Sequence, residues 1–205
     1  MSEQLDRLYK LQKKDILKAG TVFADAFSTD PVWKKVLSQA AEDQKRSFFS
    51  SPARYCLKYG KIYAPSEKIE GMAAWVPGDK GEMTFWRGLR SGSISYAMKI
   101  GTKILKEMQI IFAPLEAARR KEMAGREYIY LIILGVSPEY QGQGFGGKLL
   151  RAVIEESNDA GIPIYLETAT EKNISMYEKF GFKKLDRIDH PVIDLPQWGM
   201  IREAD

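Results

Sequence analysis

The chain has 205 residues, enough for one substantial hydrophobic core and short for two. Its 44% hydrophobic and 28% charged residues exclude a disordered or collagen-like chain, and its single cysteine, Cys56, excludes an internal disulfide. The net charge of +4 is spread among interleaved acids, which predicts a mild bias toward anionic small ligands and no nucleic-acid surface. The polar start from Met1 to Arg7 leads into no apolar signal core. The longest apolar run, Tyr128 to Val136, is too short to span a bilayer. The expectation is one cytoplasmic domain over residues 1–205, monomeric or homodimeric, with no membrane partner.

Ile16, Ala19, Gly20, Phe23, Ala24 and Phe27 recur at helical spacing, and Asp30-Pro31 is expected to end that helix. A second helix is predicted over Glu42 to Tyr59, with Gly60 as its stop. Two short strands follow, Lys61 to Ala64 and Gly71 to Val76, joined by a turn at Pro65 to Lys68. Residues 81–123 read as helical, with Ala97, Ile100, Ile104, Met108, Ile111 and Phe112 as an apolar stripe. Gly88, Gly92 and Gly101 weaken its first half, and Pro114 is expected to break it and start a further short helix. Tyr128 to Val136 then reads as a strand, Ser137 to Gly144 as a turn and Gly146 to Ala160 as a helix. Ile164 to Thr168 is the next strand, so a right-handed crossover should set these two strands parallel. A short helix from Asn173 to Phe180 and strands near Phe182 to Ile188 and Trp198 to Ile201 complete an α/β domain.

The segment Gln141-Gly142-Gln143-Gly144-Phe145-Gly146-Gly147-Lys148 lies between a strand and a helix N-terminus. Its glycines permit backbone angles that other residues avoid. The first amides of the helix lack partners, and the helix dipole favours negative charge there. A pyrophosphate suits such a site, and Lys148 can add a point charge. A classical P-loop needs Ser or Thr after the lysine, and Leu149 stands there. Gly142-x-Gly144-x-x-Gly147 does match a dinucleotide fingerprint, with Glu167 at the distance of its acid, so spacing alone leaves a Rossmann-like enzyme open. The position argues against it, because more than half the chain precedes the motif.

Gln141-x-x-Gly144-x-Gly146, preceded by the run Leu131 to Pro138, resembles the acetyl-CoA-binding motif of the GNAT N-acetyltransferase superfamily. Residues 166–182, including Asn173 and Tyr177, resemble a second conserved stretch of that superfamily and are closest to its puromycin-type branch. Ala26 to Trp33 and Gly71 to Trp75 are also similar to that branch. The resemblance implies a mixed, mostly antiparallel twisted sheet with a central splayed parallel pair, flanked by helices, with a helical insertion near 81–123. It implies that the backbone of Leu134, Gly135 and Val136 pairs with the pantetheine arm of acetyl-CoA. It also implies that the amides from Gln141 through Gly142, Gln143, Gly144, Phe145, Gly146 and Gly147 hold the pyrophosphate, that Asn173 bonds the pantetheine, and that Tyr177 sits near the thioester sulfur.

The reaction so implied is acetyl transfer to a primary amine of a small molecule or peptide, by direct attack in a ternary complex. An alkylamine titrates near pH 10, so a base must take its proton. The Val136 amide is the candidate for the oxyanion, and Tyr177 is the candidate donor to sulfur. The branch often carries a histidine two residues before the central-strand tyrosine, and here that position is Tyr128. Glu127 and Glu167 are nearby acids, and Glu167 is a candidate base, amine-binding charge or paired structural acid. Phe27, Asp30, Trp33, Trp75, Tyr128 and Tyr130 are candidate acceptor walls. His190 reads as a surface residue in an Asp189-His190-Pro191 turn, and Cys56 as a small buried residue rather than a nucleophile. No metal-ligand spacing is visible. A module that senses acetyl-CoA without turnover is the alternative.

Overall fold

The computed structural model describes residues 3–190 and 194–205, so Pro191 of the predicted turn lies outside the described residues. Its strands are β1 (Tyr9–Lys10), β2 (Lys61–Ala64), β3 (Gly71–Pro77), β4 (Ile129–Val136), β5 (Ile164–Thr168), β6 (Lys183–Ile188) and β7 (Gln197–Arg202). They form one mixed sheet in the order β1-β2-β3-β4-β5-β7-β6. Only β4 and β5 run parallel; every other neighbouring pair is antiparallel. This is a GNAT-like α/β fold. A doubly wound sheet would be parallel throughout its core, so the Rossmann-like alternative does not fit.

The helices are α1 (Glu3–Asp6), α2 (Ile16–Ala26), α3 (Pro31–Val36), α4 (Glu42–Tyr59), α5 (Phe85–Ser91), α6 (Ile94–Ala97), α7 (Thr102–Glu122), α8 (Phe145–Ala160) and α9 (Glu171–Glu178). Two cores result, one on each face of the sheet. Phe23, Phe49, Tyr55 and Ile62 lead the core under α2, α4 and α7. Leu149, Leu150, Val153 and Ile164 lead the core under α8, which presents its apolar face to β3 and β4. Among the described residues no helix is long and apolar enough to cross a membrane.

Two expectations about helix ends are corrected. Asp30-Pro31 does not end α2, which has already stopped at Ala26; it begins α3. The Asp30 carboxylate caps that helix by accepting from the amides of Val32 (3.0 Å) and Trp33 (3.2 Å), and Pro31 occupies a first-turn position where no donor is needed. Pro114 does not break the helical stretch either, and lies inside α7. It forfeits one backbone bond, but buried Met108, Ile111 and Leu115 hold the helix against the core on both sides of it. The real interruptions are left-handed glycines: Gly92 (φ 77°) closes α5, and Gly101 (φ 91°) opens α7.

Candidate active site

The two parallel strands pair only at Ile129–Ile164 and Tyr130–Tyr165. Beyond that point β4 stays with β3 and β5 stays with β7, so a wedge opens between them. Each strand then has a backbone edge facing the wedge. The Ser137 amide turns the other way and donates to Glu70 O on the β3 side at 2.9 Å. By strand alternation, Leu134 and Val136 direct their backbone groups into the wedge. The Val136 carbonyl is met there by Gln141 Nε2 at 3.1 Å.

Below the wedge the chain turns through Pro138–Tyr140 into the glycine loop. Gly142 (φ 79°) and Gly144 (φ 83°) are left-handed, and the space where a Cβ would sit is open at both. Gly144 is also the N-cap of α8 and has no side chain with which to cap it. The first-turn amides of α8 are therefore left to a ligand or solvent. The resulting cleft has a volume of about 510 Å3. Leu134, Gly135, Val136, Gln141, Gly142, Gly144, Phe145, Gly146, Gly147, Asn173 and Tyr177 all line it, and so do Phe27 and Asp30.

Two predicted loop residues do not line it. Gln143 Nε2 donates to Glu139 O at 3.1 Å, and Lys148 Nζ donates to Pro65 O at 3.3 Å. The sequence reading missed Thr29, Tyr140, Thr170, Lys172 and Met176, which do line the cleft. Arg151, four residues after Gly147 on α8, lies beside Gly147 without lining the cleft. Tyr177 forms part of the cleft wall with 8% of its surface exposed, and its ring packs on Phe182 at 5.4 Å. Burial pushes its phenol well above the ordinary range.

A second cavity, of about 610 Å3, lies on the other side of β4 under α4, α5, α6 and α7. A β-bulge creates its floor. Ala74 faces Ile133 and Trp75 faces Leu131, so Ile132 is the extra residue on β4. Ile132 and Ile133 consequently both pack on the α2–α7 core, whereas Leu131 and Leu134 belong to the α8 core. Tyr130, Ile132 and Ile133 line the second cavity, and Leu134 to Val136 line the first. The two cavities thus abut along one strand. Trp33 lines the second cavity from α3.

At the end of that cavity sits a buried polar group. The Tyr130 hydroxyl donates to Glu167 Oε2 at 2.8 Å. Arg119 Nη1 lies 3.5 Å from Glu167 Oε1, and its guanidinium stacks over the Tyr130 ring at 4.1 Å. Burial lifts the Glu167 carboxyl to about 7, against the opposing pull of Arg119 and Tyr130. Tyr128, whose ring meets Tyr165 edge-on at 6.4 Å, adjoins the group. Glu167 lines neither cavity; Tyr130 and Arg119 stand between it and the second one.

Residues 114–184 match the family model of the acetyltransferase (GNAT) domain. Those residues are about a third of the chain. The chain is 29% identical over 188 residues to an uncharacterised N-acetyltransferase of Schizosaccharomyces pombe, covering 84% of this chain and 72% of that one. A Corynebacterium glutamicum structure named as a histone acetyltransferase and related acetyltransferase superposes with a TM-score of 0.65 at 21% identity, covering 100% of this chain and 98% of that one. Arylalkylamine N-acetyltransferase 2 of Aedes aegypti superposes with a TM-score of 0.57 at 14% identity, covering 97% and 99%. At those identities the structures speak for the fold.

The remaining candidate residues fall outside both cavities. Trp75, an expected acceptor wall, is 2% exposed and stacks on Tyr63 in the α8 core, because its strand position faces away from the second cavity. Glu127 is exposed before β4 begins. Cys56 is fully buried, and burial pushes its thiol up, away from a reactive thiolate. His190, expected on the surface, is half-buried with both ring nitrogens shielded, and burial pushes its pKa down.

Proposed function

We propose that the whole chain is one acetyltransferase domain that transfers an acetyl group from acetyl-CoA to a primary amine of a small molecule or peptide, by direct attack in a ternary complex. The observation that carries this reading is that a free strand edge and an uncapped helix N-terminus face one cleft. The edge at Leu134–Val136 suits an extended amide-bearing arm such as pantetheine. The amides of the Gln141–Gly147 turn and the first turn of α8 suit a pyrophosphate, and the open space beside Gly142 and Gly144 lets it approach the main chain. Asn173 lines the same cleft and is suited to bond such an arm. Lys148, tied to Pro65, contributes long-range charge only. The placement nearest the puromycin-type branch rests on the motif segments alone.

Acetyl-CoA supplies the activated acyl group; the protein supplies geometry and protons. The Val136 amide points into the wedge, where it can stabilise charge on the acyl oxygen. The Tyr177 phenol holds its proton because it is buried, so it supports the departing sulfur by donating a hydrogen bond rather than by full proton transfer. The amine loses its proton to the Tyr130–Glu167 pair. Tyr130 lines the acceptor-side cavity and Glu167 is poised near neutrality, so the hydroxyl can hand a proton to the carboxylate. Trp33 and Phe27 flank the approach, and the Asp30 carboxylate is engaged as a helix cap. We place the protein in the cytoplasm, as a monomer or homodimer.

The test is release of free CoA when acetyl-CoA is offered with a panel of amines and small peptides, alongside thermal shifts with acetyl-CoA, NAD and ATP. Stabilisation by acetyl-CoA and amine-dependent CoA release are expected. Stabilisation by NAD alone would overturn the reading, and binding without release for every acceptor would leave a sensor.

A further inference from the structure

We infer that the acceptor is a primary amine carried on a neutral apolar body, aromatic or aliphatic, with no carboxylate or phosphate of its own. This rests on the acetyl-transfer reading, and the second cavity is where it is drawn from. Trp33, Phe48, Met108, Phe112, Ile132 and Ile133 give that cavity aromatic and aliphatic walls. At about 610 Å3 it lies within the range that encloses a small organic molecule.

The hydroxyl groups along the walls are engaged within the protein. Ser51 Oγ donates to Ser93 O at 3.2 Å, Ser93 Oγ lies 3.5 Å from Gly88 O, and Thr84 Oγ1 accepts from the Arg87 amide at 3.4 Å. A hydroxyl-rich acceptor would lose its water against mostly apolar walls, with Gln109 and Glu82 as its main polar neighbours. Charge sharpens the choice. Among the described residues the only cation lining the cavity is Arg119, which is already stacked on Tyr130 and paired with Glu167. An acidic group on the acceptor would therefore meet no free cation. It would meet Glu82, which lines the cavity as well and favours an ammonium; Glu116 also lines it but is already paired with Arg120 at 3.5 Å. The cavity abuts the donor cleft where Ile133 gives way to Leu134, so an amine at that end faces the thioester while its apolar body fills the space beneath α5–α7.

The test compares phenylethylamine and octylamine with ethanolamine, which lacks the apolar body, and with phenylalanine, which adds a carboxylate to the first. We expect kcat/KM for the two apolar amines to exceed that for ethanolamine by roughly 100-fold, the scale of burying a few methylenes, and phenylalanine to be a poor acceptor. Ala97→Trp narrows the cavity from α6, where Ala97 is half-exposed. It should raise KM for phenylethylamine about tenfold or more with acetyl-CoA affinity unchanged. Ethanolamine or phenylalanine matching phenylethylamine in the wild type overturns the inference, whatever the variant's folding. So does an unchanged KM in a folded Ala97→Trp. Calorimetric titration of phenylethylamine without acetyl-CoA separates the two readings: binding with no acetylation sinks acetyl transfer and keeps the pocket, whereas preferred acetylation of ethanolamine does the reverse.

Discussion

The two cavities on either side of the β4 bulge are built by different means. The cleft proposed for acetyl-CoA is made largely of backbone: the free edge of β4, two left-handed glycines and the first turn of α8. These parts come mostly from one continuous segment. The cavity proposed for the acceptor is made of side chains brought together from α3, α4, α5, α6, α7 and β4. A backbone site depends on local conformation and is indifferent to most side-chain changes. A side-chain site depends on tertiary packing and can be retuned residue by residue. That contrast is the physical reason one fold can keep its donor and change its acceptor.

Substitutions can break or sharpen the contrast. The largest effect is expected for Gly144→Glu, which strains a left-handed position and puts a negative charge at the helix N-terminus. Acetyl-CoA affinity should fall by about 100-fold or more, while binding of an apolar amine persists; calorimetry with each ligand checks this, and equal losses for both would erase the distinction. Glu167→Gln comes next. Transfer should fall by roughly 100-fold, and the rise in rate as pH passes about 7 should disappear from the pH profile. A variant that keeps the wild-type profile would make Glu167 a structural acid.

The same carboxyl links pH to stability. Its folded pKa is raised from 4.5 to about 7, so the folded state retains a proton that the unfolded state releases. Its contribution is fully present below the unfolded value and is lost as pH rises through about 7, by roughly 3 kcal/mol. Denaturant melts of wild type and Glu167→Gln from pH 4 to 8 should therefore show a difference that changes in this window; a pH-independent difference would contradict the shift. Tyr177→Phe should leave acetyl-CoA affinity intact and slow turnover about tenfold, and wild-type turnover would reduce Tyr177 to a packing role. The smallest effect is expected for Lys148→Ala. Acetyl-CoA affinity should change by less than about threefold, because the ammonium is held by the Pro65 carbonyl and does not line the cleft.

The same contrast explains what could be read from the sequence. The Gln141–Lys148 segment announced itself because glycines mark backbone conformation directly, and Asn173 and Tyr177 lie at helical spacing on the next helix. The bounds of α4 and β5 follow from local pattern and were legible. Pro114 misled because tertiary packing of Met108 and Leu115 outweighs one lost helix bond. Asp30-Pro31 misled because a helix stop and a helix start share the same residues. Trp75 and Trp33 look alike in sequence, yet the sheet face decides that one is core and the other lines a cavity. The Arg119–Glu167 contact joins residues 48 apart and left no local trace.

The central claim is that the backbone-built cleft holds acetyl-CoA. Calorimetric titration of acetyl-CoA into the wild-type protein, with NAD titrated in parallel, tests it most directly. Saturable one-to-one binding of acetyl-CoA and none of NAD is the predicted result. Binding of NAD with no heat from acetyl-CoA would contradict the account.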